Sequence, residues 1–311
     1  FGGATRAPRV RRAVMGRHCR APTRRLPSAA SIPAGEPMPF HRFEDYQSHR
    51  FNPHLSTSEG PVIEGQYLYF RLVTKRAGTG SQLHYHPNEL MAFPLAGRIN
   101  CVVGRDRRIV SPGTFVHIPP YAQHQFLATE DHDLHYLYIK DRTWSLIGAA
   151  ADEALPERAP SAMEAPKALE QGRYRSREKA PERSQAIADG LGNCFYPMTD
   201  ALHGSRRSGH TEQWVEGTYI GFGYAESPRG HETAEAQAQH ERFLYLIEGA
   251  LDAQVDGESR RMSAGDVMQV PLGSGYGFRV DSDRACYAAV QSLSTLESSV
   301  RRHGAADNWH G

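Results

Sequence analysis

The sequence predicts an all-β protein made of two tandem barrels or sandwiches joined by a partly helical linker. Three observations predict it. Residues 64–126 recur at a fixed offset of 152, short strand-like runs alternate with Gly, Pro and Asp turns in both copies, and the segment between the copies changes composition. The repeat is found by subtraction. Glu64-Gly65 returns as Glu216-Gly217, Tyr67 as Tyr219, Gly78 as Gly230, and Glu89 as Glu241. Gly97 returns as Gly249, Gly113 as Gly265, Pro119 as Pro271 and Phe126 as Phe278. At the same offset His84 becomes Ala236, His86 becomes Ala238 and His124 becomes Tyr276. The second copy therefore acts as an internal control, separating what the fold needs from what the chemistry needs.

The elements follow in order. Residues 1–37 are rich in Arg, Ala, Pro and Ser and lack apolar periodicity, so they are expected to be a disordered basic tail or non-native upstream sequence. An organellar transit peptide is the alternative, being equally Arg-rich and acid-poor. Residues 38–149 are expected to form the first barrel. Its strands are signalled by Tyr67-Leu-Tyr-Phe-Arg-Leu-Val, Met91-Ala-Phe-Pro-Leu, Ile99-Asn-Cys-Val-Val, Thr114-Phe-Val-His-Ile and Leu134-His-Tyr-Leu-Tyr-Ile, all rich in aromatic and β-branched residues. Gly78, Gly97 and Gly113 punctuate them as turn and corner residues. Residues 150–195 are dominated by Ala, Glu, Arg and Pro, and helical composition around Ala162 and Ser184 marks a linker with short helices. Residues 196–311 are expected to form the second barrel, with Phe243-Leu-Tyr-Leu-Ile, the Asp256-Gly257 turn and Val267-Met-Gln-Val repeating the scheme.

Charge and composition exclude several classes. The tail holds eight arginines and one acid. Without it, 28 basic and 34 acidic residues remain, a net of −6. Such a body has no basic excess for phosphates, which argues against nucleic acid as a partner. No apolar run approaches the roughly 20 residues of a membrane helix. Four scattered cysteines without a C-x-x-C fit a reducing, cytoplasmic compartment.

His84-Tyr85-His86 carries the chemistry. Alternate residues of a strand point to one face, so the two imidazoles are expected to project together into a barrel, with Gln82 in phase behind them. A Pro-rich bend precedes His124 and is expected to bring it across from the facing sheet. Three neutral imidazoles suit a borderline divalent ion such as Fe, Mn, Ni or Zn. His84-x-His86 with Gly97 eleven residues later, followed by Gly113-x5-Pro119-x4-His124, resembles the two signature motifs of the cupin superfamily. Because both repeats share the framework, the chain resembles a bicupin, which implies two tandem cupin jelly-roll barrels with the metal in the first.

The resemblance departs at the fourth ligand, usually a Glu or Gln four or five residues after the second His. Leu90 stands seven residues before Gly97, and Glu89 is out of phase with 84 and 86 unless Pro87 bends the strand. Glu89 persists as Glu241 in the copy without histidines, which favours a role in the fold over ligation. Three His and no carboxylate resemble the ferrous cupin dioxygenases of gentisate-type and diketone-cleaving enzymes. That likeness implies Fe(II), a small carboxylated or oxygenated substrate, a homodimer, and His84, His86 and His124 as catalytic metal ligands. The alternatives are a redox-neutral lyase, isomerase or hydrolase using Mn, Ni or Zn, and a non-catalytic small-molecule-binding bicupin. Arg71 and Arg98 offer carboxylate forks, although surface or inter-barrel salt bridges are the favoured reading. His117 reads either as a base beside the site or as a solvent-facing strand residue. Tyr67 and Tyr69 share a strand face, and the recurrence of Tyr67 marks packing. His231 and His240 do not fit the ligand pattern and predict no second metal site.

Overall fold

A computed structural model describes residues 9–13, 38–153, 193–198 and 209–293. The helices expected near Ala162 and Ser184 fall outside the described residues. The rest is strand and turn, apart from one 3-10 turn at Phe43–Asp45. No helix among the described residues is long and apolar enough to cross a membrane.

The first unit is a two-sheet jelly roll. Its six-stranded sheet runs Phe195–Pro197, Thr114–Ile118, Leu90–Ala96, Leu134–Asp141, Leu68–Lys75, Val62–Glu64. Its five-stranded sheet runs Ala149–Ala150, His84–Tyr85, His124–Ala128, Ile99–Val103, Asp106–Val110. The second unit repeats this architecture with a seven-stranded and a four-stranded sheet. The 152-residue offset holds in three dimensions. Leu90–Ala96, Thr114–Ile118 and His124–Ala128 have Arg242–Glu248, Asp266–Val270 and Tyr276–Val280 as counterparts, each shifted by that number. Gly97 and Gly249 turn the chain at the same place with φ of 74° and 94°. A Cβ on Gly97 would strike the carbonyl of Asp133, so the corner requires glycine twice over.

The two units exchange strands. Phe40–Arg42, which opens the first unit in the chain, pairs with Asp266–Met268 of the second. Phe195–Pro197, which opens the second, pairs with Thr114–Val116 of the first. The boundaries read from the sequence, 38–149, 150–195 and 196–311, place Phe40–Arg42 in the first barrel and divide Phe195–Pro197 between the linker and the second. The ladder places each with the other barrel. Arg9–Ala13, within the segment expected to be a tail, pairs with Glu212–Glu216 at the edge of the seven-stranded sheet.

Each barrel has its own apolar interior, and a third cluster joins them. Phe115 stacks on Phe222 with centroids 4.4 Å apart, and Phe70 on Phe243 at 5.1 Å, so the two large sheets bury their aromatic faces against each other. Tyr67 and Tyr219 both lie in this interface cluster, as expected of packing residues.

A pair of carboxylates completes the joint. Glu89, fully buried, accepts the backbone N–H groups of Thr218 (2.8 Å), Tyr219 (2.7 Å) and Ile220 (2.9 Å) from the other unit. Glu241 reciprocates by accepting those of Gln66 (2.6 Å) and Tyr67 (2.8 Å). The glycines of the recurring Glu-Gly dipeptides make this possible. A Cβ on Gly217 would sit on the Glu89 carboxylate, and one on Gly65 on that of Glu241.

Candidate metal centre

The sheet itself assembles the three histidines. His84 and His124 are directly paired across adjacent antiparallel strands, and His86 follows one step past the first strand's end. His124 therefore comes from the same five-stranded sheet, not from the facing one as the bend before it suggested. The imidazole centroids lie 4.2 Å (His84–His124), 4.7 Å (His86–His124) and 6.1 Å (His84–His86) apart. One nitrogen from each falls within 4.8 Å of the others.

Hydrogen bonding defines the tautomers. His84 Nδ1 lies 2.8 Å from the Gln82 carbonyl, His86 Nδ1 3.0 Å from that of Asn88, and His124 Nδ1 2.9 Å from that of Ala122. A carbonyl oxygen only accepts, so each Nδ1 carries the proton and each Nε2 keeps a lone pair. The Nε2 of His86 is buried and has no hydrogen-bond partner. Burial holds the His84 imidazole down to about 4 and pushes His86 and His124 well below the ordinary histidine range. Nearby Lys140 acts in the same direction on all three. The imidazoles are thus neutral at neutral pH, the form that binds a metal. A buried orphan acceptor among three converging lone pairs fits a divalent ion.

Tyr121 shapes the bend between the motifs. It takes φ of 66° and donates its backbone N–H to the His86 carbonyl at 2.8 Å. Its counterpart Gly273 makes the same bond to Ala238, so the fold needs this turn with or without histidines.

Several residues lie elsewhere than the sequence suggested. Glu89 points into the joint between the units and is not in the three-His group. His117 is buried, not solvent-facing, and its Nε2 contacts the Glu89 carboxylate at 2.6 Å. The side chain of Gln82 is exposed, and only its carbonyl serves the site. Arg98 is a surface residue paired with Asp131 at 2.7 Å. Arg71, favoured as a salt-bridge residue, has no carboxylate partner among the described residues and instead lines the cavity beside His84 and His124. Sequence reasoning missed Lys75 and Lys140, buried as the last and next-to-last residues of two core strands; the signal was a lysine near the end of a largely apolar run. The cavity holds about 40 Å³, with Leu90, Phe126 and Leu146 forming apolar wall.

The second barrel has no such group among the described residues. Where His84 pairs with His124, Glu235 pairs with Tyr276. Arg242, the counterpart of Leu90, donates to the Tyr276 hydroxyl and reaches Glu235 at 3.4 Å.

Comparison with known proteins agrees with this architecture. The cupin-domain family profile matches residues 71–140 and 224–290, one in each barrel. The chain thus carries two cupin domains, the arrangement of a bicupin, and the first holds a three-His group that could bind a metal ion. Among solved structures it is similar to AerE from Microcystis aeruginosa, at 13% identity and a TM-score of 0.54 over 80% of this chain and 97% of that one. It is also similar to Bacillus subtilis oxalate decarboxylase, in a structure concerned with its Mn(II) centres. That match has 15% identity and a TM-score of 0.56 over 87% of this chain and 84% of that one. No curated protein matches the sequence. At such identities the likeness is one of fold.

Proposed function

We propose that the protein is a metal-dependent enzyme acting on a small oxygenated or carboxylated organic molecule, with His84, His86 and His124 as the ligands. The observation that carries this reading is the buried, partnerless Nε2 of His86 inside a set whose three Nδ1 protons are committed to backbone carbonyls. Binding alone gives no reason to bury three converging imidazole lone pairs. Fe(II) is the ion we assign and dioxygenation the reaction, since the donor set is three neutral nitrogens with no carboxylate. A divalent ion held there supplies Lewis acidity, open positions for substrate and, if iron, access to oxygen chemistry.

The chain's own residues do the rest. The carbonyls of Gln82, Ala122 and Asn88 fix ring orientation, and the Tyr121 turn keeps the two motifs in register. Leu90, Phe126 and Leu146 exclude water, which strengthens every polar contact inside. A cavity of about 40 Å³ holds a few heavy atoms, which favours a short diketone-like or carboxylic substrate over an aromatic ring. The second reading is redox-neutral chemistry with Mn, Ni or Zn, favoured by similarity to a decarboxylase described for its Mn(II) centres.

Elemental analysis of anaerobically purified protein, paired with oxygen uptake on a panel of diketones, catechols and small acids, separates them. Near-stoichiometric iron with substrate-dependent uptake is expected. Manganese, nickel or zinc without uptake selects the redox-neutral reading, and no metal overturns both.

A further inference from the structure

Two buried cations share the cavity with His84 and His124 and have no counter-charge among the described residues. Arg71 is 3% exposed and Lys75 2%. Arg71 donates only to the carbonyls of Gly60 (3.2 Å) and His49 (3.4 Å), and its Nε has no partner. Lys75 Nζ donates to the Phe126 carbonyl at 2.8 Å. Neither has a carboxylate within ion-pair distance among the described residues, and no acid lines the cavity that both share with His84 and His124. Burying an unpaired charge is costly enough that native proteins pair it or hold it for a purpose.

The repeat shows which purpose. At the 152-residue offset Arg71 becomes Gly223 and Lys75 becomes Ser227, within strands whose pairing is otherwise conserved between the units. Residues needed for the joint, such as Glu89 and Gly65, persist as Glu241 and Gly217. The two cations disappear together with the three histidines. In the second barrel the ring of Trp214 lies over Gly223, close enough that a Cβ there would meet it at 2.6 Å. The cations therefore belong to the chemistry of the first cavity, not to the jelly roll.

We propose that Arg71 and Lys75 form an anion subsite adjoining the three-His group, and that the substrate is a small carboxylate of a few carbons whose charge they neutralise. This deepens the functional reading above and rests on it. The guanidinium is held over the Phe51 ring at 4.4 Å, and its unpartnered Nε–H is left to donate to an anion. Burial pushes the Lys75 amine down to about 7 and the Arg71 guanidinium to about 10, as expected of cations awaiting an anion. A cavity of about 40 Å³ suits a ligand of a few heavy atoms.

The test is titration calorimetry of the full-length protein with malonate and with its neutral counterpart malonamide, as purified and after dialysis against a chelator, with metal content measured on each sample. Saturable binding of malonate but not malonamide is expected, persisting more weakly without metal. Arg71→Met and Lys75→Met should each weaken malonate binding about tenfold or more. Equal binding of both compounds, or malonate binding that vanishes with the metal and ignores both substitutions, overturns the subsite. Should a variant misfold, the malonate–malonamide comparison on the native protein still decides. Malonate binding to a protein that never retains metal would sink the metal reading and leave the subsite standing.

Discussion

Replacing Glu89 discriminates between a ligand and a fastener. Its carboxylate accepts three buried backbone N–H groups at 2.7–2.9 Å and contacts His117 at 2.6 Å. Hydrogen bonds to a charged acceptor contribute about 1.5–3 kcal/mol each, and truncating the acceptor leaves buried donors unsatisfied. The bonds share one carboxylate and are not additive, so Glu89→Ala should cost about 4–6 kcal/mol. At about 2–4 °C per kcal/mol for a chain of this size, melting falls by roughly 8–24 °C. Glu89→Gln keeps the shape and one accepting oxygen but turns an amide N–H₂ toward backbone donors, for about half the loss. The assay is thermal unfolding by circular dichroism, with elemental analysis of the same preparations. Metal stoichiometry should stay at the native level in Glu89→Gln, and Glu241→Gln should lose slightly less stability, since Glu241 accepts two backbone bonds. A Glu89→Gln protein that melts normally but has lost its metal would refute the reasoning and make Glu89 a ligand.

Other expectations follow from the same geometry. His84→Ala and His124→Ala should each abolish metal retention, and retention by the double variant, measured by elemental analysis, would sink the site assignment. Gly217→Ala places a Cβ on the Glu89 carboxylate and should destabilise by about 2–4 kcal/mol in denaturant unfolding, whereas Gly257→Ala, with nothing near its Cβ, should cost only the backbone strain of its φ of 90°, about 1–2 kcal/mol. Lys75→Met should stabilise the protein below pH 7 by up to about 5 kcal/mol. The sign follows from its depressed pKa. Below about 7 the native state carries a buried charge. Between about 7 and 10.5 it is neutral while the unfolded chain is still protonated, so native stability rises through that window. The advantage of Lys75→Met, read from melting curves at several pH values, should be greatest at pH 6 and shrink toward pH 10. A constant difference would mean Lys75 does not titrate there.

Much of this was legible in the sequence, for definable reasons. The repeat, the alternation of strand residues and the glycine corners are local patterns, and local patterns survive projection onto one dimension. His84 and His86 could be placed on one face because a strand has period two. The sheet that carries His124 could not, because the bend after Pro119 sets a direction, not a ladder partner. Glu89 illustrates the other limit. Its persistence as Glu241 marked it as a fold residue, yet its partners are the N–H groups of Thr218, Tyr219 and Ile220, about 130 residues away and bearing no side-chain signature. Strand exchange was illegible for the same reason, since backbone pairing of Phe40 with Met268 leaves no mark in either residue type.

The two barrels also differ in how they settle charge, and that difference locates function more sharply than the histidines alone. In the second, Arg242 reaches into the equivalent position and is met by Glu235 and by the Tyr276 hydroxyl, so the guanidinium finds its counter-charge within the protein. In the first, Arg71 and Lys75 line a cavity with neutral imidazoles and donate to carbonyl oxygens, with no acid in its wall among the described residues. A divalent ion would raise the positive charge further, because three neutral nitrogens cancel none of it. A site that grows more positive as it is completed, inside a protein whose body otherwise carries a net negative charge, is balanced by what it binds. In the proposed reading the second barrel is neutralised from within, and the first by its substrate.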